Sequence, residues 1–169
     1  MTYRIVSQIA GVQPIATTDS TQNHPLGLIV TAVDETYGGG EFIYLKGATS
    51  TTTGMVYTYN LVGATTGLAV VSADTAALTA PLAIAMSANV AGKYGWYQIA
   101  GCAVVKKTAV KVSPAVKMYQ SATVGRLMPT AASGKQIQAC ISANSATVAS
   151  ATSTVLCIIN RPAQMGVVN

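Results

Sequence analysis

The run KYGWYQIAGCAVVKK, Lys93–Lys107, constrains this chain more than any other stretch, because neither of its faces is polar. Alternation places Tyr94, Trp96, Gln98, Ala100, Cys102 and Val104 on one side, and Tyr97, Ile99, Ala103 and Val105 on the other. Its aromatic and β-branched composition suits a pleated surface. A strand that is apolar on both sides must be covered twice, so this one is predicted to be central rather than a solvated edge.

The rest of the chain punctuates itself to match. Short apolar runs predict strands near 28–33, 41–46, 55–61, 67–71, 82–88, 94–105, 110–112, 116–120, 136–143 and 154–160. Gly38–Gly40, Gly47, Gly54, Gly63, Pro114, Gly125 and Gly134 stand among the separators. Many short strands at such spacing predict an all-β fold, a compact β-barrel or β-sandwich over residues 25–169. Residues 73–80 could form a short helix ended by Pro81. Residues 1–24, with Pro14 and the polar run Thr17–Pro25, predict an extended N-terminal arm that crosses its own barrel or reaches a neighbour. Two stretches are loosely alike: PLGLIVTA from Pro25 and PLAIAMSA from Pro81 each lead to a Tyr-Gly, an aromatic strand and a glycine, with MVY and KMY further on. They would fit two related β units facing each other.

Charge is scarce: 9% of residues, against roughly 25% in an ordinary soluble domain. Such a surface is expected to be covered by neighbouring copies or a partner, or else to be a Ser/Thr-rich secreted one. All five acids lie in the first 74 residues beside two bases, giving −3, whereas the remainder has eight bases and no acid. That asymmetry points to an acidic partner or to head-to-tail packing. The bases are spread out, with Lys106–Lys107 the only adjacent pair, so nucleic acid is not the expected partner. No membrane span is expected either, since Pro81 and Asn89 interrupt the uncharged stretch 75–92. MTYRIVSQIAGVQP lacks a basic n-region and a long apolar h-region, so no secretory signal is expected. Cys102, Cys140 and Cys157 read as buried free thiols, with a Cys140–Cys157 bridge left open by a possible hairpin.

Catalytic signatures are sparse. His24 is the single histidine and reads as a solvated loop residue. Asp34, Glu35 and Glu41 cluster in sequence, but lack the spaced oxygens of a calcium loop; they read as a solvated turn or a salt bridge to a neighbour. No phosphate-cradling glycine motif occurs. The chain is therefore not expected to be an enzyme or to bind a cofactor or metal. Phe42, Tyr44, Tyr57, Tyr59, Tyr94, Trp96 and Tyr97 are expected in the core, at a subunit interface or on a sugar-binding platform. Lys106, Lys107, Lys111, Lys117 and Arg126 are expected to point outward as a loose cationic stripe.

PLGLIVTAVDETYGGGEFIYLKGA (Pro25–Ala48), GMVYTYN (Gly54–Asn60), GKYGWYQIAGCAVV (Gly92–Val105) and VLCIINRP (Val155–Pro162) together resemble the capsid decoration, or cement, proteins of tailed bacteriophages. The resemblance implies a compact β-barrel or β-tulip-like domain, in which a jelly-roll-like sandwich is also acceptable. It implies a homo-oligomer, trimer before dimer, assembled in the host cytoplasm and bound to the major capsid protein on the outside of the virion. It carries over no catalytic residue. A carbohydrate-binding or adhesion module of a head fibre or tail, and a ring-forming tail component, are the competing expectations.

Overall fold

The computed structural model describes residues 2–7, 11–60, 70–72 and 79–166. The predicted helix at 73–80 and the first residues of the strand predicted at 67–71 fall largely outside them. Among the described residues there are twelve strands and no helix. They are β1 (Arg4–Ile5), β2 (Thr18–Asp19), β3 (Ile29–Asp34), β4 (Gly38–Lys46), β5 (Val56–Tyr59), β6 (Val70–Ser72), β7 (Leu82–Ala85), β8 (Tyr94–Lys106), β9 (Lys117–Gln120), β10 (Leu127–Met128), β11 (Gln136–Ser142) and β12 (Thr154–Gln164). The main path runs β1-β3-β4-β8-β12-β11-β9-β10, and a branch continues from β8 through β7 to β5 and β6. The path ends at β1 and β10 without closing, so the fold is an open, sandwich-like sheet rather than a closed barrel.

The predicted central strand, β8, is the hub. One of its edges pairs with β4 from Tyr94 to Gly101. The other is shared in succession by β2 at Tyr94–Gly95, β7 at Tyr97–Gln98 and β12 from Ala100 to Lys106. From Gly95 to Ile99 both of its sides are covered, whereas beyond Ala100 one side, with Cys102 and Val104, is only half-buried. Trp96 packs with Phe42, Tyr44, Val30, Ala32, Met86, Tyr3 and Ile15. Tyr97 and Ile99 pack with Ile43, Leu45, Tyr57, Tyr59, Ala83 and Ala85. Further along, Ala103 and Val105 join the largest cluster, with Met118, Leu127, Ile137, Cys140, Val155, Cys157 and Ile159.

The N-terminal segment is extended and lies on its own domain. β1 pairs with β3, β2 with β8, and Tyr3 and Ile15 are buried in the Trp96 cluster. Single anchors replace a periodic stripe, which is why the spacing of its apolar residues gave no regular pattern. The Val110–Val112 strand shrinks to one bridge, Val112 with Val148. The two Pro-Leu stretches form matching antiparallel pairs, β3 with β4 and β7 with β8, which meet across the antiparallel β4–β8 ladder. The likeness stops there: β5 pairs with β7, but β9 pairs with β10 and β11 rather than β3.

β8 changes partners at Gly101, where φ is +102°. The Gln98 amide donates to the Ala100 and Cys102 carbonyls, both at 3.1 Å, and the Tyr3 hydroxyl also donates to Cys102 O at 3.1 Å. These side chains satisfy carbonyls at the point where the β4 ladder ends. A Cβ on Gly101 would lie 2.4 Å from Gly39 O. Gly101→Ala is therefore expected to cost about 1–3 kcal/mol in chemical denaturation. Gly39→Ala, whose Cβ would meet nothing within 4 Å, should stay within about 1 kcal/mol of wild type.

Candidate interaction face

The aromatic residues resolve first. Phe42, Tyr44, Tyr57, Tyr59, Trp96 and Tyr97 are buried and Tyr94 is half-buried. Tyr44 lies opposite Trp96 in the β4–β8 ladder, with ring centroids 5.1 Å apart, and Phe42 meets Tyr3 edge-on at 4.7 Å. They form core rather than a platform. His24 is not a solvated loop residue. It is half-buried, its ring 5.1 Å from Tyr44 and 5.7 Å from Trp96. Its Nε2 bonds to Gln13, whose amide donates to Asp19, and Tyr44 donates to the same Asp19 carboxylate at 2.8 Å. Burial, then the bond to Asp19, pushes the Tyr44 pKa up to about 12. This network ties the N-terminal segment to the Trp96 cluster.

The acids do not gather into a site. Asp34 is buried and accepts from Thr36 N at 2.8 Å, Tyr37 N at 3.0 Å and Thr2 N at 2.6 Å. Burial alone would raise its pKa, but these main-chain donors prevail and hold it below the ordinary carboxylate range. Glu41 pairs at 2.9 Å with Arg161 of the same chain, and Glu35 is exposed. A cleft of about 580 Å³ opens beside Arg4, Asp34, Glu35 and Tyr37. Among the described residues no group of three His, Cys, Asp or Glu is placed to hold a metal ion.

The expected cationic stripe breaks up. Lys111 and Lys117 are exposed, Lys106 is half-buried with its ammonium on Thr52 Oγ1, and Arg126 is half-buried with Nη1 2.8 Å from Lys107 O. Lys107 is the correction. It is 0% exposed, and its ammonium donates to the carbonyls of Val110 at 2.9 Å, Thr108 at 3.2 Å and Ser150 at 3.3 Å. Burial lowers its pKa. Adjacent residues of a strand point to opposite sides, so Lys106 and Lys107 could not both face outward. Lys107 and Arg126 meet as parts of one structural network.

What the sheet does present is aliphatic. Along β9, β11, β12 and β8, Met118, Cys140, Cys157 and Ala103 point inward, while their neighbours Lys117, Ile141, Ile158 and Cys102 stand in one register row. Ile141 and Ile158 are directly opposite each other and 45% and 47% exposed. The next pair along, Leu156 and Val104, is half-buried, and Thr154 and Lys106 follow at the rim. The four-strand row spans about 14 Å at ordinary strand spacing. The signal for it was present in Val155-Leu156-Cys157-Ile158-Ile159: a five-residue apolar run on a strand must turn apolar side chains both ways. A further apolar groove of about 230 Å³ lies among Val6, Val33, Gly39, Gly40, Ala100 and Gly101.

The three cysteines are free thiols, Cys102 half-buried and the other two buried. A hydrogen bond with Cys140, then burial, pushes the Cys157 thiol up, away from the reactive thiolate form. No family model, no curated protein and no solved structure matches this chain.

Proposed function

We propose that this chain is a non-enzymatic structural virion protein, a capsid decoration protein that binds the outside of an assembled tailed-phage capsid. It bridges capsid subunits as a homo-oligomer, with the major capsid protein as its partner. One observation carries the reading. A chain with only 9% charged residues also holds Val6, Ile29, Val33, Val90, Val110, Val124, Ile141 and Ile158 at 38–51% exposure. Single exposed aliphatics are ordinary, but the opposed pair Ile141–Ile158 on a sheet with so little charge favours a surface that is covered in use. Many weak contacts repeated around a shell would then resist internal pressure through multivalency. Burial of Trp96, Tyr44 and Tyr97 weighs against the glycan-platform alternative, which needs open aromatic faces.

The test uses capsids of the virus whose genome encodes this chain, assembled without it. Purified protein should decorate them and raise their rupture temperature. Particles that remain bare, or that rupture at an unchanged temperature, would falsify the reading.

A further inference from the structure

The row Lys117, Ile141, Ile158 and Cys102 belongs entirely to the part of the chain beyond Asp74, which has eight bases and no acid. Its centre is an exposed isoleucine pair, and the charge in the row is the exposed Lys117, with Lys106 at the rim. The one carboxylate found bonded to this side of the molecule, Glu41, is neutralised by Arg161, which follows Asn160 of β12. We propose that this face docks an acidic surface of a different protein. Apolar side chains of that partner cover Ile141 and Ile158, and a carboxylate pairs with Lys117. The inference rests on the decoration reading and deepens it, by naming the contacting face and the chemistry the capsid surface must offer.

Charge disfavours a second copy as the occupant, with the exposed Glu35 the one described acid a head-to-tail contact could use. An isologous contact would set the lysines of one copy against those of the other. A head-to-tail contact would need free acids elsewhere on the chain. Asp19 and Asp34 are buried and hydrogen-bonded within the chain and Glu41 is paired, which leaves Glu35 among the described carboxylates. Nucleic acid fits poorly as well, because the centre of the face is the aliphatic Ile141–Ile158 pair.

Cys102 supplies a footprint within the row itself, since it is half-buried whereas Cys140 and Cys157 are buried. N-ethylmaleimide labelling of Cys102 should slow at least about tenfold when the protein is bound to capsids. Lys117→Glu and Ile158→Glu should each weaken capsid binding about tenfold or more, and added salt should weaken the wild type. Ile158→Thr keeps the β-branch and should still lose several-fold, so a folding failure of the glutamate variant would not rescue the proposal. If the wild type does not bind capsids, the decoration reading and this face fall together. Binding with Cys102 as reactive as in the free protein overturns the face alone. Protection of Cys102 in concentrated free protein, with a matching rise in mass, overturns it in favour of a second copy. Protection by phosphatidylserine vesicles overturns it in favour of a membrane.

Discussion

Lys107→Met is expected to lower the free energy of unfolding by about 1–3 kcal/mol, although it replaces a charged residue with an apolar one of similar length. The ammonium is 0% exposed and held by three main-chain carbonyls. Thr108 O also accepts from Val110 N at 2.7 Å, so it keeps a partner in the variant. Val110 O and Ser150 O would lose the bond they have from Lys107; both residues are exposed, so water replaces part of it and each lost bond costs about 0.5–1.5 kcal/mol. Relief of the ammonium's own desolvation acts in the opposite sense and keeps the sum moderate. Denaturant titration checks the size, and hydrogen exchange checks the place: protection should fall first around 107–112 and 148–152.

The pH dependence separates this group from the others. Burial sets its folded pKa below the 10.5 of a free lysine. In the window just below 10.5 the unfolded chain therefore binds more protons than the folded one, and stability gained from this group rises with pH. Lys107→Met should lack that rise. Tyr3, Tyr44, Tyr59 and Tyr97, all raised first by burial, act the other way as pH climbs above 10. They are common to both proteins, so the difference between the two curves isolates Lys107. Parallel curves would overturn the lowering of the Lys107 pKa by burial.

Trp96→Ala should cost about 3–5 kcal/mol, the range for emptying a large buried aromatic site. Trp96 is the largest fully buried side chain and touches the Tyr44 and His24 rings. Its loss would also loosen the N-terminal segment, whose Tyr3 and Ile15 share the same cluster. Trp96→Phe should cost clearly less, because it keeps most of the ring and removes an indole N–H that has no partner. Thermal and chemical unfolding measure both. A Trp96→Ala protein of wild-type stability that had lost glycan binding would reverse the assignment of this residue to the core.

The central strand was legible because its composition left it no alternative. A run apolar on both sides has to be covered on both, and β8 is from Gly95 to Ile99; its Cys102–Val104 side is the part left half-buried. The sequence-level boundary at Val105 and the observed end at Lys106 differ by one residue. β2 and β10, at two residues each, were invisible because pairs that short carry no period. The docked N-terminal segment was ambiguous because Tyr3 and Ile15 are isolated anchors, and the network from His24 to Asp19 joins loop residues far apart in pattern. The error over Lys107 was avoidable, since the alternation that placed Trp96 and Tyr97 on opposite sides also separates Lys106 from Lys107. The isoleucine pair could not be found as a pair, because it depends on the β11–β12 register, which the chain reaches across a loop.

The partner-sharing along β8 also governs when this fold can come into being. Its neighbours β2, β4 and β7 are synthesised before it and β12 long after. Strand pairing across such separations is slow, because the loops must close before any contact rewards them. A nascent chain ending at Lys93 would hold Phe42 and Tyr44 against β3 and Tyr57 against β7 but without β8 between these pairs, and the largest core cluster would remain open until β12 left the ribosome. Commitment to the native state is thus deferred until β12 has been made. Chains stalled or cut before Thr154 are the ones a cell would find aggregating or destroyed.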